Sequence, residues 1–144
     1  MRVMVIVKAS KDSEAGALPS PEMIEAMGKF NNELIDAGLM LDGAGLRPSS
    51  KGARLSFSGG KALLTDGPFA ETKEIIGGYW MIQVSSLQEA LDWMRRAPME
   101  DGAELELRPL FEPEDFAEVA SPELIAQEQG WRDEQAKNAP KASA

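Results

Sequence analysis

The chain has 144 residues, 43% of them apolar, which is enough for one domain with a single core. A formal charge of −9 excludes the basic face that a nucleic-acid partner needs to neutralise phosphates. With no Cys and no His, disulfides, thiolate chemistry, Cys-ligated zinc and imidazole-based acid–base or metal work are all excluded. Proton transfer would fall to Asp, Glu, Lys or the single Tyr79, and neither a metal site nor a cofactor is read from the chain.

Val3 to Val7 is a β-branched-rich run that predicts a central strand. The stretch from Met1 to Val7 is too short for the apolar core of a signal peptide, and Lys8 and Lys11 follow without a cleavage-like site. No apolar run approaches a membrane span, so the expectation is a cytoplasmic protein with no membrane partner. Residues 9–20 read as a polar loop ending in Ser20-Pro21, the N-cap and first position of a helix. Met23, Met27, Phe30 and Leu34, with Ile24 and Ile35 alongside, form one helical face, and Gly38 supplies the C-cap.

A second strand follows around Leu39 to Leu46. Arg54 to Ser58 and Ala62 to Thr65 predict a hairpin turning at Gly59-Gly60. Gly77 to Val84 is a further strand. Ser86 and Glu89 are spaced as a capping box that opens a second helix, which buries Ala90, Leu91 and Met94 and stops at Pro98. Ala103 to Leu110 alternates Leu105 and Leu107 with Glu104, Glu106 and Arg108, as a half-exposed strand does. The order is that of an α+β ferredoxin-like βαββαβ sandwich with an inserted β-hairpin. Two helices cover one sheet face, and a homodimer is the ordinary way to cover the other.

Residues 112–144 change character, with eight acids against three bases and a second Ser-Pro helix start at Ser121-Pro122. The expected organisation is a domain over 1–111 and an acidic C-terminal extension over 112–144. That extension carries a weakly amphipathic helix with Leu124, Ile125 and Trp131, and its end is disordered from Asn138.

The most distinctive segment is Asp66-Gly67-Pro68-Phe69-Ala70-Glu71-Thr72-Lys73-Glu74, a turn, an aromatic and a charge cluster between two strands. Asp66, at a strand end, is either an acid–base or anchoring carboxylate or an acceptor for the amides of its own turn. Phe69 is read first as packing. Glu71 and Glu74 would share a face of a helical turn, with Lys73 off it, as an acidic pair or as a solvated one. Gly77-Gly78 permits a bulge or the close approach of backbone or ligand, and Tyr79 beside it carries a phenol that can donate to a ligand or to backbone. The Gly pair lacks the pattern of a phosphate loop. Arg47, Lys51, Arg54 and Lys61 gather basic charge around the hairpin, as a solvated face or as a contact for an anion or an acidic tail.

Asp66 to Glu74 followed by Gly77-Gly78-Tyr79 resembles the signature of the DGPF branch of the YCII-related family. The resemblance extends over roughly residues 1–111, through Ser20-Pro21-Glu22-Met23 and Glu106-Leu107-Arg108-Pro109-Leu110. It implies a dimeric α/β barrel with a cleft where two sheets meet. Enzymatic proposals for relatives rest on a His–Asp pair that this chain, lacking His, does not carry. The resemblance also implies a link to extracytoplasmic-function sigma factors. Two readings follow. In the first, a small polar molecule binds in a dimer cleft, with Asp66, Glu71 and Lys73 as catalytic candidates and Gly67, Phe69, Glu74 and Tyr79 as binding candidates. In the second, the chain is a non-catalytic signalling module with a regulatory protein partner, in which the same motif is a structural keystone.

Overall fold

The computed structural model describes residues 1–70 and 74–138. The chain divides into two compact units, Met1–Leu110 and Phe111–Ala144. In the first, the elements run β1 (Arg2–Lys8), α1 (Lys11–Glu14), α2 (Pro21–Asp36), β2 (Met40–Gly45), β3 (Ala53–Ser58), β4 (Lys61–Asp66), β5 (Ile76–Gln83), α3 (Leu87–Met94) and β6 (Leu105–Pro109). This is a mixed α/β architecture with antiparallel sheets. Four strands lie in the order β2-β5-β1-β6, every neighbouring pair antiparallel, while β3 and β4 form a separate two-stranded sheet. The topology is compatible with the ferredoxin-like pattern expected from the sequence.

The sheet forms where period-two alternation meets helical faces of period 3.6. Val3, Val5, Trp80, Ile82 and Val84 join Phe30 and Leu34 of α2 and Ala90 and Met94 of α3 in one buried cluster. The Phe30 and Trp80 rings meet edge to face at 6.0 Å, and the Trp80 indole N–H donates to Asn31 Oδ1 at 2.8 Å, which satisfies the buried donor. Ile24 and Ile35, expected beside the buried face of α2, are exposed. The buried stripe is narrower than the apolar content suggests, because only Phe30 and Leu34 of α2 are buried, with Met27 packed half-buried against the same core.

The helix ends follow local chemistry. Ser20 Oγ accepts from the Met23 N–H, and Pro21 needs no partner for its missing N–H. The C-cap of α2 is Ala37; Gly38 follows it at φ +72°, and the Gly38 and Leu39 amides donate to the Ile35 and Leu34 carbonyls. The loop expected over 9–20 contains α1, held by reciprocal bonds between Ser10 and Ser13. Four residues carry no hydrophobic period, so only the caps could have announced it.

At α3, Ser86 Oγ accepts from the Glu89 N–H, but the Glu89 carboxylate accepts from the amide and hydroxyl of Ser85. The expected reciprocal box is thus displaced by one residue, because two donors of Ser85 outbid the single amide of Ser86. These bonds hold the Glu89 carboxyl below its ordinary value, the Ser85 backbone bond first. The helix also ends at Met94, before Pro98, through tight i to i−3 bonds from Arg96 and Ala97.

The hairpin turns at Gly59 (φ +57°) and Gly60 (φ +75°), the two positive φ values of a type I′ turn. Every residue of β3 and β4 is exposed.

In the second unit a 3-10 turn at Pro113–Phe116 precedes α4 (Pro122–Asn138). The Phe111 and Phe116 rings meet at a tilt, their centroids 5.1 Å apart, and α4 buries none of its residues, so Leu124 and Trp131 remain exposed. Disorder was expected from Asn138 onward, but Asn138 is the last residue of α4; the positions after it lie outside the described residues. Among the described residues, no helix is long and apolar enough to cross a membrane.

Candidate functional site

The Asp66 to Glu74 segment begins where β4 ends, and its first residues are fixed by one buried side chain. Ser49, only 7% exposed, sits in a 3-10 turn (Ser49–Lys51) between β2 and β3. Its amide and hydroxyl both donate to the Glu14 carboxylate, at 3.0 and 2.5 Å, while its Oγ accepts from the Phe69 N–H at 3.1 Å. Gly67 donates its N–H to the Gly52 carbonyl at 3.1 Å. A Cβ on Gly67 would stand 1.7 Å from the Ser49 carbonyl oxygen, so no other residue fits without moving backbone. The Gly67–Pro68 peptide is cis. Phe69 is half-buried beneath the Arg54 guanidinium, 3.7 Å from its ring centroid. Gly67 and Phe69 therefore tie the root of the hairpin to α1.

The Asp66 carboxylate is exposed and makes no hydrogen bond or ion pair among the described residues. The bonds to its own turn that the sequence suggested are not made there. Instead, the turn is held by Ser49, which lies too far along the chain for a local reading to find. Glu71 and Lys73 lie outside the described residues. Glu74 is exposed and pairs with Lys8 Nζ at 3.3 Å; the Lys8 side chain is only 12% exposed. An ammonium so nearly buried keeps one carboxylate partner at the strand end.

Tyr79 lies on the face of the sheet that neither α2 nor α3 covers. Alternation along β1 and β5 puts Met4, Ile6, Lys8, Tyr79 and Met81 on that face, with Ile6 paired to Tyr79 and Met4 to Met81. The Tyr79 hydroxyl donates to Asp42 Oδ2 at 2.9 Å across β2 and β5. That hydrogen bond first, the Asp42 charge next and burial last raise the phenol above its ordinary value of 10.0. Gly77 and Gly78 admit backbone, not a ligand. A Cβ on Gly78 would lie 2.9 Å from the Ala44 carbonyl, and one on Gly77 3.2 Å from Ala9 Cα, where the β1–β5 register shifts.

The structure thus brings Gly67 and Phe69 to Ser49, Glu74 to Lys8, and Tyr79 to Asp42. Glu14, Ser49, Asp42 and Lys8 were missed by sequence reasoning. Asp42 and Lys8 carried a signal, being charged residues within or ending strands. Ser49 and Glu14 carried none, because they meet across 35 positions. Two surface hollows lie elsewhere. One along α3 is lined by Glu89, Asp92, Trp93 and Arg96, and another in the second unit by Phe116, Leu124 and Trp131. Among the described residues, no group of acidic side chains is placed to hold a metal ion.

The sequence model of the YCII-related domain matches residues 1–113, most of the chain. The chain belongs to this family. A protein of Rhizobium meliloti (strain 1021), named only as uncharacterised, is 44% identical over 61 residues, which are 42% of this chain and 49% of that protein. The matched part thus spans about half of that relative's length. The YCII-related membership and the relative's name together carry no reaction.

Proposed function

We propose that this YCII-related chain, of the DGPF branch, works as a cytoplasmic homodimer. Its ferredoxin-like sheets would pair into an α/β barrel and bind a small polar molecule against the face carrying Tyr79. The observation that carries the reading is the Tyr79–Asp42 pair, a phenol and a carboxylate on the sheet face that neither α2 nor α3 covers, one strand from the Lys8–Glu74 pair. Such a face offers apolar walls from Met4 and Met81 and a few polar groups that orient a ligand. In this reading Asp66 is the carboxylate free for acid–base work, with Glu71 and Lys73 next along the chain, while Gly67 and Phe69 shape the rim. The chain has no His, so a carboxylate would have to take that role.

A second reading has its own support. Gly67 and Phe69 are engaged in packing against Ser49 and Arg54, which is how a keystone behaves in a non-catalytic regulatory module, including one that serves a sigma factor. A thermal-shift screen of small polar metabolites separates the two. Any stabilising compound should bind Tyr79→Phe about tenfold more weakly, the loss of one charge-assisted hydrogen bond at about 1.4 kcal/mol per decade. Hits indifferent to Tyr79→Phe and Lys8→Met would overturn the site.

A further inference from the structure

We propose that the β3–β4 hairpin is an arm that closes over a second copy of this chain and buries its Leu55, Phe57 and Leu64 face there. The proposal rests on the homodimer reading and adds a contact surface that the sheet faces alone do not supply.

The hairpin has two unlike faces. Cross-strand partners share a face, so Leu55 with Leu64 and Phe57 with Ala62 form a face that is apolar up to Ala53 and Asp66 at its root, while Arg54 with Thr65, Ser56 with Leu63 and Ser58 with Lys61 form a face that is polar but for Leu63. That alternation belongs to a strand pair with one face covered. Yet Phe57 is 81%, Leu64 65% and Leu55 60% exposed. A two-stranded ribbon is marginally stable by itself, so a covering surface is needed. The root is also aimed, because Gly67, Ser49 and the Arg54–Phe69 stack fix where the ribbon leaves the domain.

Two arguments make the occupant a second copy. The first is area. Four strands about 4.8 Å apart and about 20 Å long present on the order of 400 Å² in plan, short of the about 800 Å² per partner of a standard interface. The hairpin face adds about 200 Å², and side-chain relief brings the sum near that size. The second is charge. Arg47, Lys51, Arg54 and Lys61 surround the hairpin, while the remainder of residues 1–110 holds 16 acids against eight bases. A basic arm is thereby drawn to another copy of the same acidic domain.

Sedimentation equilibrium tests this on the full chain. Wild type should dimerise at micromolar concentration, and Leu55→Ser/Phe57→Ser should dimerise at least about 100-fold more weakly with unchanged near-ultraviolet circular dichroism. Lys61→Glu should weaken the dimer about tenfold at low salt, with the difference closing at high salt. A dimeric wild type whose double variant associates within threefold overturns the arm and leaves the homodimer standing. A wild type that stays monomeric overturns the homodimer, and the arm with it.

Discussion

The four-stranded sheet and the β3–β4 hairpin are built from the same kind of sequence but reach opposite environments. In β5 the alternation hides Gly78, Trp80 and Ile82; in β3 the same alternation leaves Leu55 and Phe57 in solvent. An alternating strand therefore specifies that a face is to be covered, and chain connectivity decides what can cover it. Helices α2 and α3 come after β1 and β5 in the chain and pack onto them, whereas among the described residues the insertion that carries the hairpin has no α-helix. The contrast also explains the DGPF segment, which stands at the junction of the two regions and anchors one to the other.

Chemical unfolding of three variants sharpens the contrast, from the largest effect down. Gly67→Ala must move the Ser49 carbonyl and is expected to cost about 3 kcal/mol or more. Leu34→Ala, fully buried in the core, should cost about 2–5 kcal/mol. Leu64→Ala should cost less than about 0.5 kcal/mol in dilute solution, where nothing covers the hairpin. Equal losses at Leu34 and Leu64 would break the distinction between the two regions.

A smaller effect tests the far face of the sheet. Tyr79 is the single tyrosine, so phenolate absorbance reports it alone. Its folded value lies above 10.0, so the stability from the Asp42 bond is whole below that pH and is lost as pH rises through the raised value. Asp42→Asn should bring the titration back toward 10.0, and an unchanged midpoint would remove Asp42 as the cause.

Much of this architecture was legible in the sequence. Ser20-Pro21, Gly59-Gly60 and the β-branched run at Val3 are local signals, and the structure places an N-cap, a turn and a central strand there. The site was less legible. Asp66 to Glu74 announced a special segment, but Ser49 and Glu14, which hold its first residues, come from a 3-10 turn and from α1, 20 and 55 positions before Phe69 in the chain. Contacts between segments so far apart in the chain leave no period and no spacing to read. Exposure was equally hidden, because Ile24 and Phe57 look as buried in sequence as Phe30.

The central claim is that the hairpin face exists to be covered by another copy, while the ladders of the sheet and the core under α2 and α3 are complete within one chain. Amide hydrogen exchange across a concentration series measures both at once. Protection of β1 and β5 should stay constant, and protection of β3 and β4 should rise as the chain is concentrated from nanomolar to micromolar. Hairpin amides whose exchange does not change with concentration would contradict the claim.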